Sequence, residues 1–148
     1  MRLRHIAWLI AAALLCGGCG ALHVDAYPTA PDTQTDCVGL YNDVPRTVAG
    51  QDERRVEDDL AVAWGDPPII LRCGVEKPEQ LSPDARCDMV DGIGWFTQED
   101  DDGYLFTTIG RQYYVSVEVP SDYDPAADAL VDLGDVIGRH DPEVDPCV

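Results

Sequence analysis

"AWGDPPIILRCGV", residues 63–75, predicts a β-hairpin at the centre of the fold. Apolar residues alternate with others along residues 60–64 before Gly-Asp-Pro-Pro, and alternate again along residues 69–75 after it. Two runs of period two on either side of glycine, aspartate and proline are typical of two strands joined by a turn. Arg72 and Cys73 lie within the second strand, where they could belong either to a site or to the framework.

Three further strands are predicted downstream of this hairpin. Residues 92–97 and 104–110 flank the acidic segment QEDDDG, which predicts a second hairpin with a charged tip. Residues 113–119 alternate tyrosine and valine with polar residues, the pattern of a half-buried strand. The sequence therefore predicts an antiparallel sheet of about five strands.

Two helices are predicted, one before the strands and one after them. A short helix begins after Thr35 or Asp36 and ends before Pro45. A longer helix is opened by Pro125, capped by the residue before it, and continues to about Gly138. A sheet with its helices kept apart in sequence belongs to the α+β class.

Residues 1–19 have the pattern of an export signal. Arg2 and Arg4 precede an apolar run over residues 6–15, and small residues follow. The ending LCGGC predicts a lipoprotein signal with lipid attached to Cys19, which would hold the protein at the outer face of the cell membrane. A secreted protein with a simply cleaved signal is the alternative. A permanent transmembrane anchor is less favoured, since the apolar run is short for a membrane span.

The chain after the leader is predicted to have two parts. Residues 20–35 are rich in alanine, proline, threonine and aspartate without periodicity, which predicts a flexible tether. Residues 36–148 have the length of a single globular domain.

The other four cysteines predict two disulfides, because an exported chain folds in an oxidising compartment. Their spacing does not match paired zinc ligands. Three pairings are open, and we prefer a local Cys73–Cys87 bridge with a Cys37–Cys147 bridge joining the two ends of the domain. The four half-cystines are Cys37, Cys73, Cys87 and Cys147.

Charge excludes one class of partner. The formal net charge is −18, and its field repels phosphate backbones, so nucleic-acid binding is not expected. The acidic residues are scattered, which is typical of a solvated acidic surface. The acidic segment 98–103 lacks the ligand pattern of a calcium loop, and we expect no metal and no cofactor.

Four side chains are candidates for ligand binding. Arg72 and Arg111 could each present a guanidinium to a carboxylate or phosphate, with Asp66 and Trp95 nearby in the predicted sheet. The competing interpretation is that the arginines pair with internal aspartates such as Asp66 or Asp91, and that the tryptophans fill the core. Neither histidine of the domain and tether neighbours a serine or cysteine in a catalytic motif, so no catalytic residue is predicted.

The order of several motifs resembles one family. These motifs are DCVGLYNDVP, AWGDPPIILRCGV, CDMVDGIGW and FTTIGRQYYVSVEVP, followed by the predicted C-terminal helix, and together they cover roughly Cys37 to Ile137. The series resembles an actinobacterial family of small secreted proteins and lipoproteins, the domain of unknown function thirty-five fifteen. The resemblance implies a location and an architecture but no reaction, and it carries over Cys73 as a structural half-cystine together with Arg72.

These observations predict a non-enzymatic protein of the cell envelope that binds an envelope protein or a wall component. A small extracytoplasmic hydrolase acting on cell-wall material is the alternative. The arrangement of the candidates separates the two hypotheses. Burial of the tryptophans and Arg72 favours a structural role, whereas convergence of Asp66, Arg72, Arg111 and Trp95 on an open concavity favours ligand binding or catalysis.

Overall fold

A computed structural model describes residues 20–31, 36–57 and 61–147. It contains two helices and eight strands. In chain order these are α1 (Cys37–Asp43), β1 (Thr47–Val48), β2 (Gln51–Arg54), β3 (Val62–Trp64), β4 (Ile69–Val75), β5 (Asp88–Val90), β6 (Ile93–Glu99), β7 (Gly103–Ile109), β8 (Tyr114–Pro120) and α2 (Ala127–His140).

All eight strands form one antiparallel sheet with the order β1-β2-β3-β4-β8-β7-β6-β5. One face, which we name the helix face, packs against both helices. Its core joins Trp64, Leu71 and Val117 to Leu133 and Ile137 of α2. Burial of this apolar cluster is the main source of the fold's stability.

The hairpin predicted from residues 63–75 is confirmed as β3 and β4, with Trp64 opposite Ile69. Every residue of both strands is buried. Gly65 has φ of +75°, and a Cβ on it would lie 2.5 Å from the Tyr123 hydroxyl oxygen, so this turn requires glycine. That hydroxyl donates to the Pro67 carbonyl at 2.6 Å and fixes the turn further.

The sheet has eight strands, so the prediction of about five was too low. The additional strands β1, β2 and β5 are two to four residues long. The longest of them is QDER, which is polar throughout and carries no apolar alternation. These strands form because β3 and β6 offer unpaired edges, a tertiary cause that local pattern does not contain.

Both predicted helices are present, but the prediction that Asp124 caps the second helix and Pro125 opens it was wrong. Asp36 caps α1 by accepting a hydrogen bond from the Gly39 amide at 3.2 Å. The second helix begins after Ala126, without a side-chain cap, and continues to His140. The residues before it form a turn in which the Asp128 amide donates to the Pro125 carbonyl at 3.1 Å.

All four cysteines of the domain are paired, but our preferred pairing was wrong. The bridges are Cys37–Cys73, with a Cα–Cα distance of 5.6 Å, and Cys87–Cys147, with 6.1 Å. Cys73 lies on the helix face, where α1 packs. Cys87 meets the C-terminal segment over Gly94, on which a Cβ would lie 2.7 Å from the Cys147 sulfur.

Residues 20–31 lie against the sheet, although the sequence predicted residues 20–35 to be a flexible tether. We name residues 20–31 the N-terminal strap. It forms a parallel bridge between Leu22 and Val56 and an antiparallel bridge between Thr29 and Val75. Val24 of the strap is buried against Ala63 and Ile70, on the sheet face opposite the helices. The predicted leader and Cys19 lie outside the described residues.

Within the described ranges, no helix is both long and apolar enough to cross a membrane.

Candidate functional site

Arg72 is an internal residue of the sheet. It lies on β4 with 7% of its surface exposed, and its Nη1 donates to Glu118 Oε2 of β8 at 2.9 Å. The Tyr27 ring of the strap covers the guanidinium, with 5.2 Å between Cζ and the ring centroid. The predicted internal partner was an aspartate, and the structure provides a glutamate instead.

Asp66 and Arg111 lie at different parts of the sheet. Asp66 is exposed in the turn between β3 and β4, 3.3 Å from Arg54 Nη1. Arg111 donates from Nη1 to the Asp141 carbonyl at 2.5 Å and from Nη2 to the Gly92 carbonyl at 3.3 Å. Arg111 therefore ties the end of α2 to the turn before β6, and no aspartate side chain is its hydrogen-bond partner among the described residues.

Trp95 is fully buried on the helix face and makes an edge contact with Phe106, with 6.3 Å between ring centroids. Trp64 is also fully buried, and its indole N–H donates to the Pro45 carbonyl at 2.9 Å. Both rings fill the core and neither presents a face to a ligand. The four predicted site residues therefore do not converge on one concavity.

A different group of residues forms a concave site, which we name the acidic cleft. Its volume is about 480 Å³, and it lies at the ends of β4 and β8 beside the tip of the β6–β7 hairpin. Its lining includes two tyrosine rings and four carboxylates but no lysine, arginine or histidine from the described part of the chain. The six side chains are Tyr27, Asp100, Asp102, Tyr104, Glu118 and Asp122.

The walls of the cleft are held by local contacts. Asp100 Oδ1 accepts from the Asp102 amide at 2.9 Å and from the Gly103 amide at 3.1 Å, which fixes the hairpin tip. Tyr104 stacks on Phe106, with 5.7 Å between centroids. The charge of Glu99 is the main cause that raises the pKa of Tyr104, so its hydroxyl stays neutral at ordinary pH.

The end of α2 carries a second cluster of polar groups. His140 Nδ1 lies 2.6 Å from Asp36 Oδ2, and His140 Nε2 lies 2.9 Å from Asp43 Oδ2. Hydrogen bonds to Asp36 and then to Asp43 raise the pKa of His140. The His140 ring therefore links α1 to the negative end of α2, and protonation of the ring strengthens this link. Because both ring nitrogens are occupied by carboxylates, this histidine is poorly placed to act as a general base.

Asp141 and Tyr113 lie beneath this cluster. Asp141 Oδ1 accepts from the Tyr113 amide at 3.2 Å, and the Tyr113 hydroxyl donates to the His140 carbonyl at 3.0 Å. Burial raises the pKa of Asp141 to about 6 and that of Tyr113 to about 12. Both side chains are buried, they connect the end of α2 to the start of β8, and neither lines the acidic cleft.

The His140 link predicts a pH-dependent stability. A histidine with a raised folded pKa contributes fully below its unfolded pKa of about 6.5, and this contribution is lost as pH rises through the folded pKa. We expect His140→Gln to lower the free energy of unfolding by roughly 1 kcal/mol at pH 5.5 and by clearly less at pH 9. Urea unfolding at both pH values measures this difference, and an equal loss at both would contradict the assignment.

No group of three or more histidine, cysteine, aspartate or glutamate side chains within the described ranges has the arrangement of a metal site.

The fold and the cleft define a class: a disulfide-linked α+β domain whose candidate site is an acidic, tyrosine-lined concavity. The family model described as "Protein of unknown function (DUF3515)" matches residues 5–146. The chain belongs to this family, which confirms the resemblance inferred from its motifs. No curated protein and no solved structure matched the chain.

Of the residues that line the cleft, sequence reasoning singled out only the acidic tip, residues 98–103, and it interpreted this tip as a solvated turn. Tyr27 falls in the predicted tether, and Glu118 was considered only as one of several carboxylates for the hydrolase alternative, with no partner selected by the spacing. The one available signal was the alternation of residues 113–119, which sets Glu118 on the face opposite the valines and therefore on the same face as Arg72.

Proposed function

We propose that this protein is an exported, lipid-anchored binding protein of the cell envelope, without catalytic activity, and that its acidic cleft binds a cationic segment of an envelope protein. The leader pattern and the predicted lipid site at Cys19 support the location. Two disulfides that use all four cysteines of the domain are what an oxidising compartment favours.

The composition of the cleft is the observation that carries the binding role. Its aspartates Asp100, Asp102 and Asp122 create a negative potential in a concave space, which concentrates cations. Tyr27 and Tyr104 each contact Arg72 or Phe106 through one ring face, but both rings are partly exposed and line the cleft, and aromatic rings attract lysine and arginine side chains. Arg72 lies 2.9 Å from Glu118 and offsets that one charge, so the net negative charge of the cleft comes from the three aspartates.

The hydrolase alternative receives no comparable support. A glycosidase needs one carboxylic acid with a raised pKa beside the substrate. Asp141 has such a pKa, about 6, but it is fully buried and does not line the cleft. Within the cleft, Glu118 is engaged by Arg72, and Asp100 is engaged by two backbone amides.

A charge-matched pair of variants tests the proposed binding. The probe is a synthetic tetralysine peptide, titrated at low salt and followed by the NMR shifts of Tyr27, Tyr104 and Leu105. We expect Asp102→Asn/Asp122→Asn to weaken binding roughly five- to tenfold, since two charges that touch the cation are removed. Binding by the unmodified protein should also fall as salt rises.

The control is Asp84→Asn/Asp128→Asn, which removes the same charge from exposed residues outside the cleft. This variant should bind the peptide almost as well as the unmodified protein. Equal losses in both double variants would show a diffuse attraction to net charge and would overturn the cleft as the binding site.

A further inference from the structure

We infer that the N-terminal strap is part of the folded domain and orients it on the bilayer, with the β1–β2 edge towards the lipid and the β6–β7 tip away from it. The strap follows the predicted lipid site directly, so this inference rests on the lipid anchor at Cys19 proposed above. The partner of the strap is the surface of the membrane, and no flexible spacer separates Cys19 from the folded domain.

The backbone of the strap is fixed at both ends. The Leu22 amide donates to the Arg55 carbonyl at 2.7 Å, and the Glu57 amide donates to the Leu22 carbonyl at 2.9 Å. The Ala30 amide donates to the Gly74 carbonyl at 2.9 Å, and the Glu76 amide donates to the Pro28 carbonyl at 3.0 Å. The bonds of Leu22 lie just beyond the end of β2, and those of Pro28 and Ala30 continue the sheet beside the end of β4, beyond the last residue that β3 pairs.

Side chains between these ends hold the strap on the sheet. Val24 is buried in a small apolar cluster with Ala61, Ala63 and Ile70. Tyr27 covers the Arg72–Glu118 ion pair and also lines the acidic cleft. Release of the strap would therefore expose apolar surface and a buried arginine, and it would remove one wall of the cleft.

Chain length then sets the orientation. Cys19 precedes Leu22 by three residues, which span at most about 10 Å. Leu22 lies beside β2, near one edge of the sheet. The β6–β7 tip belongs to strands that lie four and five positions from β2, about 20 Å away at the usual strand spacing. An acyl chain on Cys19 therefore brings the β1–β2 edge to the membrane first.

The charges agree with this orientation. The β1–β2 edge has exposed Arg46 and Arg55 beside Asp52 and Glu53, so it has mixed charge. The opposite tip, residues 99–102, has four consecutive acidic residues. Anionic lipid head groups repel the tip more strongly than the edge, which favours the same arrangement that the chain length imposes.

Hydrogen exchange of the lipidated protein in phosphatidylglycerol–phosphatidylethanolamine nanodiscs tests the strap. We expect the amides of Leu22, Ala30, Glu57 and Glu76 to exchange at least roughly tenfold more slowly than an unstructured chain. Tyr27→Ala should speed the exchange of the strap amides and leave β7 unchanged. Exchange at the unstructured rate in the unmodified protein would overturn the strap, whatever the state of Cys19.

Lysine labelling tests the orientation, because Lys77 is the only lysine of the chain. In a Lys77→Arg background, Arg55→Lys and Asp101→Lys place one amine-reactive dye at the edge and at the tip. We expect energy transfer to head-group acceptors in vesicles of the same lipids to be at least twofold more efficient from the edge. A ten-residue Gly-Ser insertion after Cys19 should reduce this difference.

The outcomes separate the inference from the proposed function. Equal transfer from both sites, with the strap protected and Cys19 acylated, would overturn the orientation alone. An unmodified Cys19 in the mass spectrum of the native membrane protein would overturn the anchor and with it the membrane contact. Neither result would change the binding expected at the acidic cleft.

Discussion

Cys73→Ser is expected to reduce the yield of folded protein strongly and to lower the free energy of unfolding by about 4 kcal/mol. The Cys37–Cys73 bridge closes a loop with a sequence separation of 36 residues, and constraint of the unfolded chain by such a loop accounts for this magnitude. The bridge also holds α1 on the sheet, beside the hydrogen bond that the Cys73 amide donates to the Tyr41 hydroxyl at 2.8 Å. The yield of folded protein and urea unfolding of the purified variant measure the two effects.

The stabilities of two double variants identify which cysteines are paired. Cys37→Ser/Cys73→Ser should be about as unstable as either single variant, because both changes remove the same bridge. Cys73→Ser/Cys87→Ser should lose roughly twice as much, because it breaks two bridges. The opposite ranking would restore the pairing that we first preferred from the sequence.

Trp95→Ala is expected to lower the free energy of unfolding by about 4 kcal/mol, the cost of a large cavity in a packed core. Trp95 is fully buried between the sheet and the helices and contacts Phe106. Thermal and urea unfolding measure this loss. A variant with normal stability would show that the indole is not a core residue and would return Trp95 to the candidate ligand-binding residues.

Replacement by phenylalanine provides a matched control. Trp95 Nε1 is buried without a hydrogen-bond partner in the described part of the chain, so Trp95→Phe loses volume but no hydrogen bond. Trp64→Phe loses the bond to the Pro45 carbonyl as well, and we expect it to cost about 1 kcal/mol more than Trp95→Phe. An equal cost for both would mean that the Pro45 carbonyl finds another donor.

The sequence predicted those parts of the fold in which local pattern and tertiary structure agree. Residues 63–75 alternate around a turn that only glycine fits, and they form the central hairpin. The strap could not be predicted in the same way. Its contacts with Val56 and Val75 depend on edges that exist only after the sheet has formed, and its composition is that of a loop.

The candidate site was predicted less well, for a physical reason. Arg72 was recognised as unusual because a charge in an apolar strand must be paired. Its partner Glu118 is 46 residues away along the chain, and the register of β4 against β8 brings them together. No spacing rule contains that register. The cleft is harder still to predict from the sequence, because it forms only where the strap, β8 and the β6–β7 tip meet.

The order of the two bridges along the chain has a consequence for export. Cys37 and Cys73 both precede Cys87 and Cys147 along the chain, so the two covalent loops follow one another and are not nested. In a chain that crosses a membrane from its N-terminus, as we propose here, each cysteine meets its native partner in order of emergence. A thiol oxidase that joins consecutive cysteines as they emerge would therefore produce the native connectivity directly, without disulfide isomerisation.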